Sequence, residues 1–301
     1  MSEYQYYEFQ AIDRPLTAHE MRAVRAVSSR ASITPTRFVN HYEWGDFKGN
    51  PGRWLERYFD AFLYVANWGT RELMLRFPRR MLDLATARRY CCGGSASARA
   101  RGDLVILELR SEDESGGDFD DGSEWLSSII PVRADIAARD YRALYLAWLR
   151  CAQEGELDED DAEPPVPVGL DRLTTPLEAL AKFLRLDDAL LVAAGQAGPD
   201  EEAGIPPADL KRWIAALPEK EKTRLLTRLV VGEEGQLRAE LHLRFRQAHR
   251  AGGARQAELR TVGELLSAAG RLRSSGGSRT RSGRKRGRRK AGPRSRASSA
   301  T

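Results

Sequence analysis

The run Leu104-Val-Ile-Leu-Glu-Leu-Arg110 constrains the fold most. It is apolar at almost every position, so it reads as a strand central to a sheet, with cover from other elements. Around it the first half of the chain alternates strand and helix signals. Tyr4 to Ile12 reads as a strand with Tyr7, Phe9 and Ala11 on one face. Thr17 and Glu20 form a capping box, with Leu16 and Met21 as an apolar staple, and so start a helix. Arg37 to Trp44 reads as a second strand with Phe38, Tyr42 and Trp44 on one face. Asn50 and Pro51 mark another helix start. The stripe Trp54, Leu55, Tyr58, Phe59, Phe62, Val65 and Ala66 predicts a single helix that runs to Gly69. Glu72 to Phe77 reads as a strand, Leu82 to Tyr90 as a short helix, and Asp135 to Gln153 as one long helix. The expected class is α+β, with a mainly four-stranded sheet and packed helices over residues 1–153.

Residues 154–170 break the pattern. Seven of the ten residues from Glu154 to Glu163 are acidic, and three prolines follow by Pro167. Such a segment predicts an unpacked linker between two domains. A helical domain is expected over 171–270. Its signals are Thr175-Pro176 with Glu178, then Pro207, Pro218, the Leu237/Leu241/Phe245 spacing, and Thr261 with Glu264. No fixed-period repeat appears, so a solenoid is unsupported.

Charge is segregated along the chain. From Arg271 to Thr301 there are 12 Lys/Arg and no acid, and before that 36 basic against 43 acidic residues. The body therefore carries −7 and the tail +12, so the pI of 9.2 reflects the tail rather than the folded surface. Residues 271–301 lack the apolar content for a core and are expected to be disordered. No apolar run approaches the roughly 18 residues that span a bilayer. The N-terminus lacks the regions of a signal peptide. The three cysteines, Cys91, Cys92 and Cys151, do not form a disulfide framework. Together these predict a cytoplasmic protein with no membrane partner.

Motifs for known chemistry are sparse. His41 and Glu43 share a strand face and Asp46 follows, an H-x-E spacing that resembles zinc deaminases. Those need a P-C-x-x-C partner as well, and Cys91-Cys92 does not supply it. His41, Glu43 and Asp46, at a mouth with the Asn67-Trp68-Gly69 turn, remain the weak catalytic candidates. The cysteines read as ordinary small residues at a helix end. His242 and His249 are seven apart, about 10 Å along a helix, and cannot hold one ion unaided. The loop at Asp118, Asp120 and Asp121 departs from the calcium-loop spacing, because Gly122 falls one place early. Leu180 to Ala194 has the apolar skeleton of a helix-turn-helix. Its second helix opens with Asp187 and Asp188 and offers no donors, so it reads as a packed hairpin. No phosphate loop, nucleophile elbow or zinc-protease motif occurs. No metal or cofactor is expected.

The stretches EFQAIDRPLT (8–17), ITPTRFVNHYEWGDFKG (33–49), YVANWGTRELMLRFP (64–78), EWLSSIIPVRADI (124–136) and PPVPVGL (164–170) resemble a bacterial protein family. The resemblance extends to about residue 270 and implies no activity, cofactor or catalytic residue. It does imply longer members with a charged helical region where this chain has its basic tail, a departure that a shifted reading frame would produce. Three functions follow as expectations. The first is a non-enzymatic adaptor with a protein partner. The second is sequence-independent nucleic-acid association through Arg284, Lys285, Arg286, Arg288, Arg289 and Lys290. The third is an enzyme acting at His41, Glu43 and Asp46.

Overall fold

The computed structural model describes residues 3–113, 120–197, 207–230, 241 and 260–283; side chains are described except at 197, 207–209, 228–230 and 275–283. Seven antiparallel strands form one sheet in the order β2-β3-β1-β4-β5-β7-β6. They are β1 (Gln5–Gln10), β2 (Ser32–Ile33), β3 (Arg37–Tyr42), β4 (Ala61–Ala66), β5 (Arg71–Pro78), β6 (Ala96–Arg101) and β7 (Leu104–Ser111). Leu104–Ser111 sits one strand in from the β6 edge, with Val105, Ile106 and Leu107 fully buried.

The pleat sends alternate residues to opposite faces, and each face has its own helical cover. Tyr7, Phe9, Phe38, Phe62, Met74 and Ile106 point one way, onto α1 (Ala18–Arg25) and α2 (Pro51–Arg57). Phe9 lies 4.6 Å from Phe62, 5.0 Å from Trp54 and 5.7 Å from Phe38 between ring centres, so this smaller core is an aromatic cluster. Leu63, Val65, Leu73, Leu75, Phe77, Leu107 and Leu109 point the other way, into the larger core. That core is closed by α3 (Leu84–Tyr90), α4 (Trp125–Ile129), α5 (Val132–Ala137), α6 (Arg142–Gln153), α7 (Thr175–Phe183), α8 (Asp188–Ala197) and α11 (Val262–Gly283). Two further helices are α9 (Pro207–Ala216) and α10 (Glu219–Val230).

Local signals explain several boundaries. The Thr17–Glu20 capping box is formed in both directions, and Arg14 clamps the same carboxylate at 2.7 and 2.9 Å. Asn50 caps α2 through Arg53 N. Thr261 and Glu264 exchange bonds at the start of α11. Thr174, not Thr175, is the N-cap of α7, and its side chain makes no cap bond.

The sheet has seven strands rather than four. The stripe from Trp54 to Ala66 is not one helix. α2 ends at Arg57, and β4 begins four residues later, after Asp60 has taken the Ile12 and Asp13 N–H groups at 2.6 and 2.9 Å. A strand buried on both faces is apolar throughout, so it satisfies a helical period as readily as its own. The expected helix from Asp135 to Gln153 is two helices, because Arg139 is left-handed (φ 68°) and Asp140 caps Arg142 N. β6 was hidden in a stretch of Gly, Ser and Ala. Its pairing with β7 and the closeness of α3 and α6 create it.

Residues 154–170 are not an unpacked spacer. Glu163 is 3% exposed and bonded to Tyr145 Oη, with Arg260 donating Nε and Nη2 to its two oxygens at 2.7 Å each. Backbone bonds run from Glu163 N to Arg260 O, from Val262 N to Asp161 O and from Gly263 N to Glu159 O. The segment is a strap, and α7, α8 and α11 share the larger core with the sheet. α11 also runs past residue 270, where the basic tail was expected to begin. Among the described residues, no helix is long and apolar enough to cross a membrane.

Candidate functional site

One end of the sheet gathers the exposed aromatic and unpaired acidic groups. At this end β1 begins, β3 and β4 finish, and Gln5 faces both Tyr42 and Ala66 in register. Trp44 and Trp68 each stand two residues beyond those partners. Their strands flank β1, about 10 Å apart by strand spacing. Trp44 is 78% exposed and Trp68 47%. Trp44 was expected to share the inward face of Phe38. The strand stops at Tyr42, and Gly45 at φ 76° turns the chain, so the indole is left in solvent. Trp68 is fixed by its turn. Asn67 Oδ1 accepts from Tyr4 N, and Asn67 N donates to Tyr4 O, both at 3.0 Å. Gly69 is left-handed, and a Cβ there would lie 1.8 Å from the Asp113 carbonyl oxygen, so only glycine fits.

The segment 120–125 meets this end of the sheet at Tyr4, the residue before β1. Tyr4 Oη donates to the Asp121 carbonyl at 3.0 Å. Asp120 is neutralised: Arg71 donates at 2.8 Å and Trp125 Nε1 at 2.6 Å, and Arg71 stacks over the Trp125 ring at 4.8 Å. Asp121, Glu124 and Glu178 border a cavity of about 390 Å³ that Trp125 and Lys182 also line. Among the described residues, none of Glu43, Asp121, Glu124 and Glu178 has a cationic partner within ion-pair distance. Burial, then Asp121, Asp120 and Glu43 in turn, push the Tyr4 phenol above its usual pKa, so the local potential is negative.

His41, Glu43 and Asp46 do not converge. All three are exposed. His41 pairs in register with Tyr6 and stacks on Tyr4 at 6.2 Å, on the larger-core face of the sheet. Asp46 accepts from Gln5 Nε2 at 3.0 Å, on the aromatic-cluster face. The sheet itself separates them, so a shared proton-transfer site is not built. His41 and Glu43 instead contribute to the acidic, aromatic end described above.

The other sequence candidates among the described residues are not assembled into a site. Cys91 and Cys151 are buried and Cys92 is exposed; burial raises all three thiol pKa values, that of Cys151 to about 12. A thiol held protonated is a poor nucleophile. Among the described residues, no group of His, Cys, Asp and Glu is placed to hold a metal. The α7–α8 hairpin buries Leu190, Ala193 and Ala194 against the larger core and α11, so α8 is not free to enter a groove. Asp118, His242, His249 and the tail cations Arg284 to Lys290 lie outside the described residues. Two buried charge networks escaped the sequence reading. Asp60 is bonded by Arg76 and by two backbone N–H groups, and Arg133 holds Asp13 at 2.9 Å through two bonds. Asp60 is saturated, so it staples β4 to the chain after β1 and leaves no acceptor for a substrate.

No protein-family model, no curated protein and no solved structure matches this chain.

Proposed function

We propose that this is a non-catalytic interaction protein whose acidic, tryptophan-bearing sheet end receives a basic segment of a partner protein. The observation that carries the reading is the exposure of Trp44 and Trp68 just past the ends of the two strands that flank β1, at an end of the sheet that also carries Glu43 and Asp121, neither of which has a cationic partner among the described residues. Exposing two indoles on a folded surface sacrifices burial, and tryptophan is enriched among the residues that dominate protein interfaces. The indole faces attract cations, and the surrounding carboxylates select the same sign. A lysine- or arginine-rich segment satisfies both. A nucleic acid would be repelled by the carboxylates gathered here.

Fluorescence anisotropy of a fluorescein-labelled hexa-arginine peptide with the full chain tests this. The peptide is expected to bind, with affinity falling as salt rises. Trp44→Ala and Trp68→Ala together are expected to weaken it about tenfold or more, as for interface anchors. Binding that ignores both substitutions overturns the reading. Tighter binding of a DNA duplex than of the peptide, lost when the six tail cations are neutralised, replaces it with nucleic-acid association.

A further inference from the structure

The path of α11 suggests what occupies this surface when no partner is present. α11 begins against the acidic strap, with Val262 N bonded to Asp161 O and Gly263 N to Glu159 O. It packs antiparallel to α8. Arg260 near its start donates to Ala193 O at 2.9 Å, late in α8, and Arg273 lies 3.9 Å from Asp187, just before α8 begins. Asp187 is two residues from Arg185, which donates to Ser111 Oγ at 2.8 Å at the end of β7. That end of β7 continues into Asp113, whose carbonyl packs on Gly69 beside Trp68. The 22-residue helix therefore leads away from the strap and toward the tryptophan end, over a length of about 33 Å.

Directly after Gly283 the sequence is Arg284-Lys-Arg-Gly-Arg-Arg-Lys290, six cations in seven residues. Extended, seven residues reach about 23 Å. The acidic strap is the other acidic stretch of the chain. It sits at the opposite end of α11, and two of its acids, Glu154 and Glu156, are engaged by Arg150 and Ser95. Geometry thus favours the sheet end over the strap.

We infer that Arg284 to Lys290 dock in cis on the sheet end around Tyr4, where the Trp68 turn, Asp121 and the His41-Tyr-Glu43-Trp44 stretch come together, so that a basic partner must displace the chain's own segment. This rests on the proposed function above and adds a built-in competitor to it. A tethered segment acts at an effective concentration of about 1 mM. Against an intrinsic Kd of roughly 0.1 mM it would weaken an external basic ligand about tenfold.

The test is the full chain with Arg284, Lys285, Arg286, Arg288, Arg289 and Lys290 all changed to Gln, titrated with the labelled hexa-arginine peptide beside the unchanged chain. The expected result is about tenfold tighter binding by the six-fold variant, removed again when Trp44→Ala and Trp68→Ala are added. Equal, tryptophan-dependent binding by both chains overturns the cis docking and leaves the surface intact. Binding by neither chain, or binding that ignores the tryptophans, overturns the surface itself. A tenfold gain that appears only at concentrations where the unchanged chain self-associates, measured by light scattering, also overturns docking in cis.

Discussion

Glu72 is a carboxylate held away from its ordinary solution behaviour by burial. It points from β5 to the aromatic-cluster face and is 8% exposed. Burial raises its pKa first. Arg110, donating at 3.1 Å, opposes the shift, and Glu108 adds to it. The folded-state pKa is therefore above the unfolded value, so the native state holds its proton more tightly. That contribution to stability is present at low pH and is lost as pH rises through the folded pKa. Glu72→Gln is expected to gain in Tm relative to the unchanged chain as pH rises above the ordinary glutamate range. A difference that does not change with pH would sink this account. Nothing in the spacing of Glu72 announces burial. Its position in an alternating strand says only which face it takes, and what covers that face is a tertiary fact. Thr17, Glu20 and Asn50 are the contrasting case, because a cap is satisfied within four residues and is legible directly.

At the scale of elements, the strap and α11 are joined by one ion pair. Arg260 and Glu163 meet between Tyr145 of α6 and Ala193 of α8, so four elements depend on two side chains. Removing the cation strands a buried carboxylate. Arg260→Met is expected to cost about 3–5 kcal/mol in urea unfolding, whereas replacing both partners by apolar residues should cost much less. Amide exchange in α11 would rise in the single variant. An unchanged urea midpoint for Arg260→Met would show that the strap adds little. The acidic composition of 154–163 suggested solvation, and most of those residues are exposed. The exception, Glu163, decides the architecture, and composition averages over it. A similar failure produced the single helix expected from Trp54 to Ala66. An amphipathic stripe identifies a helix only where the opposite face is polar, and β4 has no polar face.

For the whole molecule, the larger core includes residues from β1 at one extreme and α11 at the other. Shared burial couples their unfolding. Calorimetry of the full chain is expected to show one transition for the sheet, α6, α7, α8 and α11 together, and two well-separated transitions would restore an independent helical unit after residue 170. The proposed docking acts at the same scale, since it joins an acidic sheet end to a basic stretch at least 160 residues further along the chain.

The sequence by itself determined the α+β class, the caps at Thr17, Asn50 and Thr261, the segregation of charge and the lack of familiar catalytic motifs. Each of these depends on neighbours within a few positions or on composition. The tertiary structure alone decided the strand count, the burial of the strap and the placement of the candidate residues. Trp44 and Trp68 are twenty-four apart yet follow the ends of β3 and β4, the two strands that flank β1. The physical reason is pairing register: hydrogen bonds between distant strands fix which side chains share an end and a face, and short-range patterns do not encode that choice.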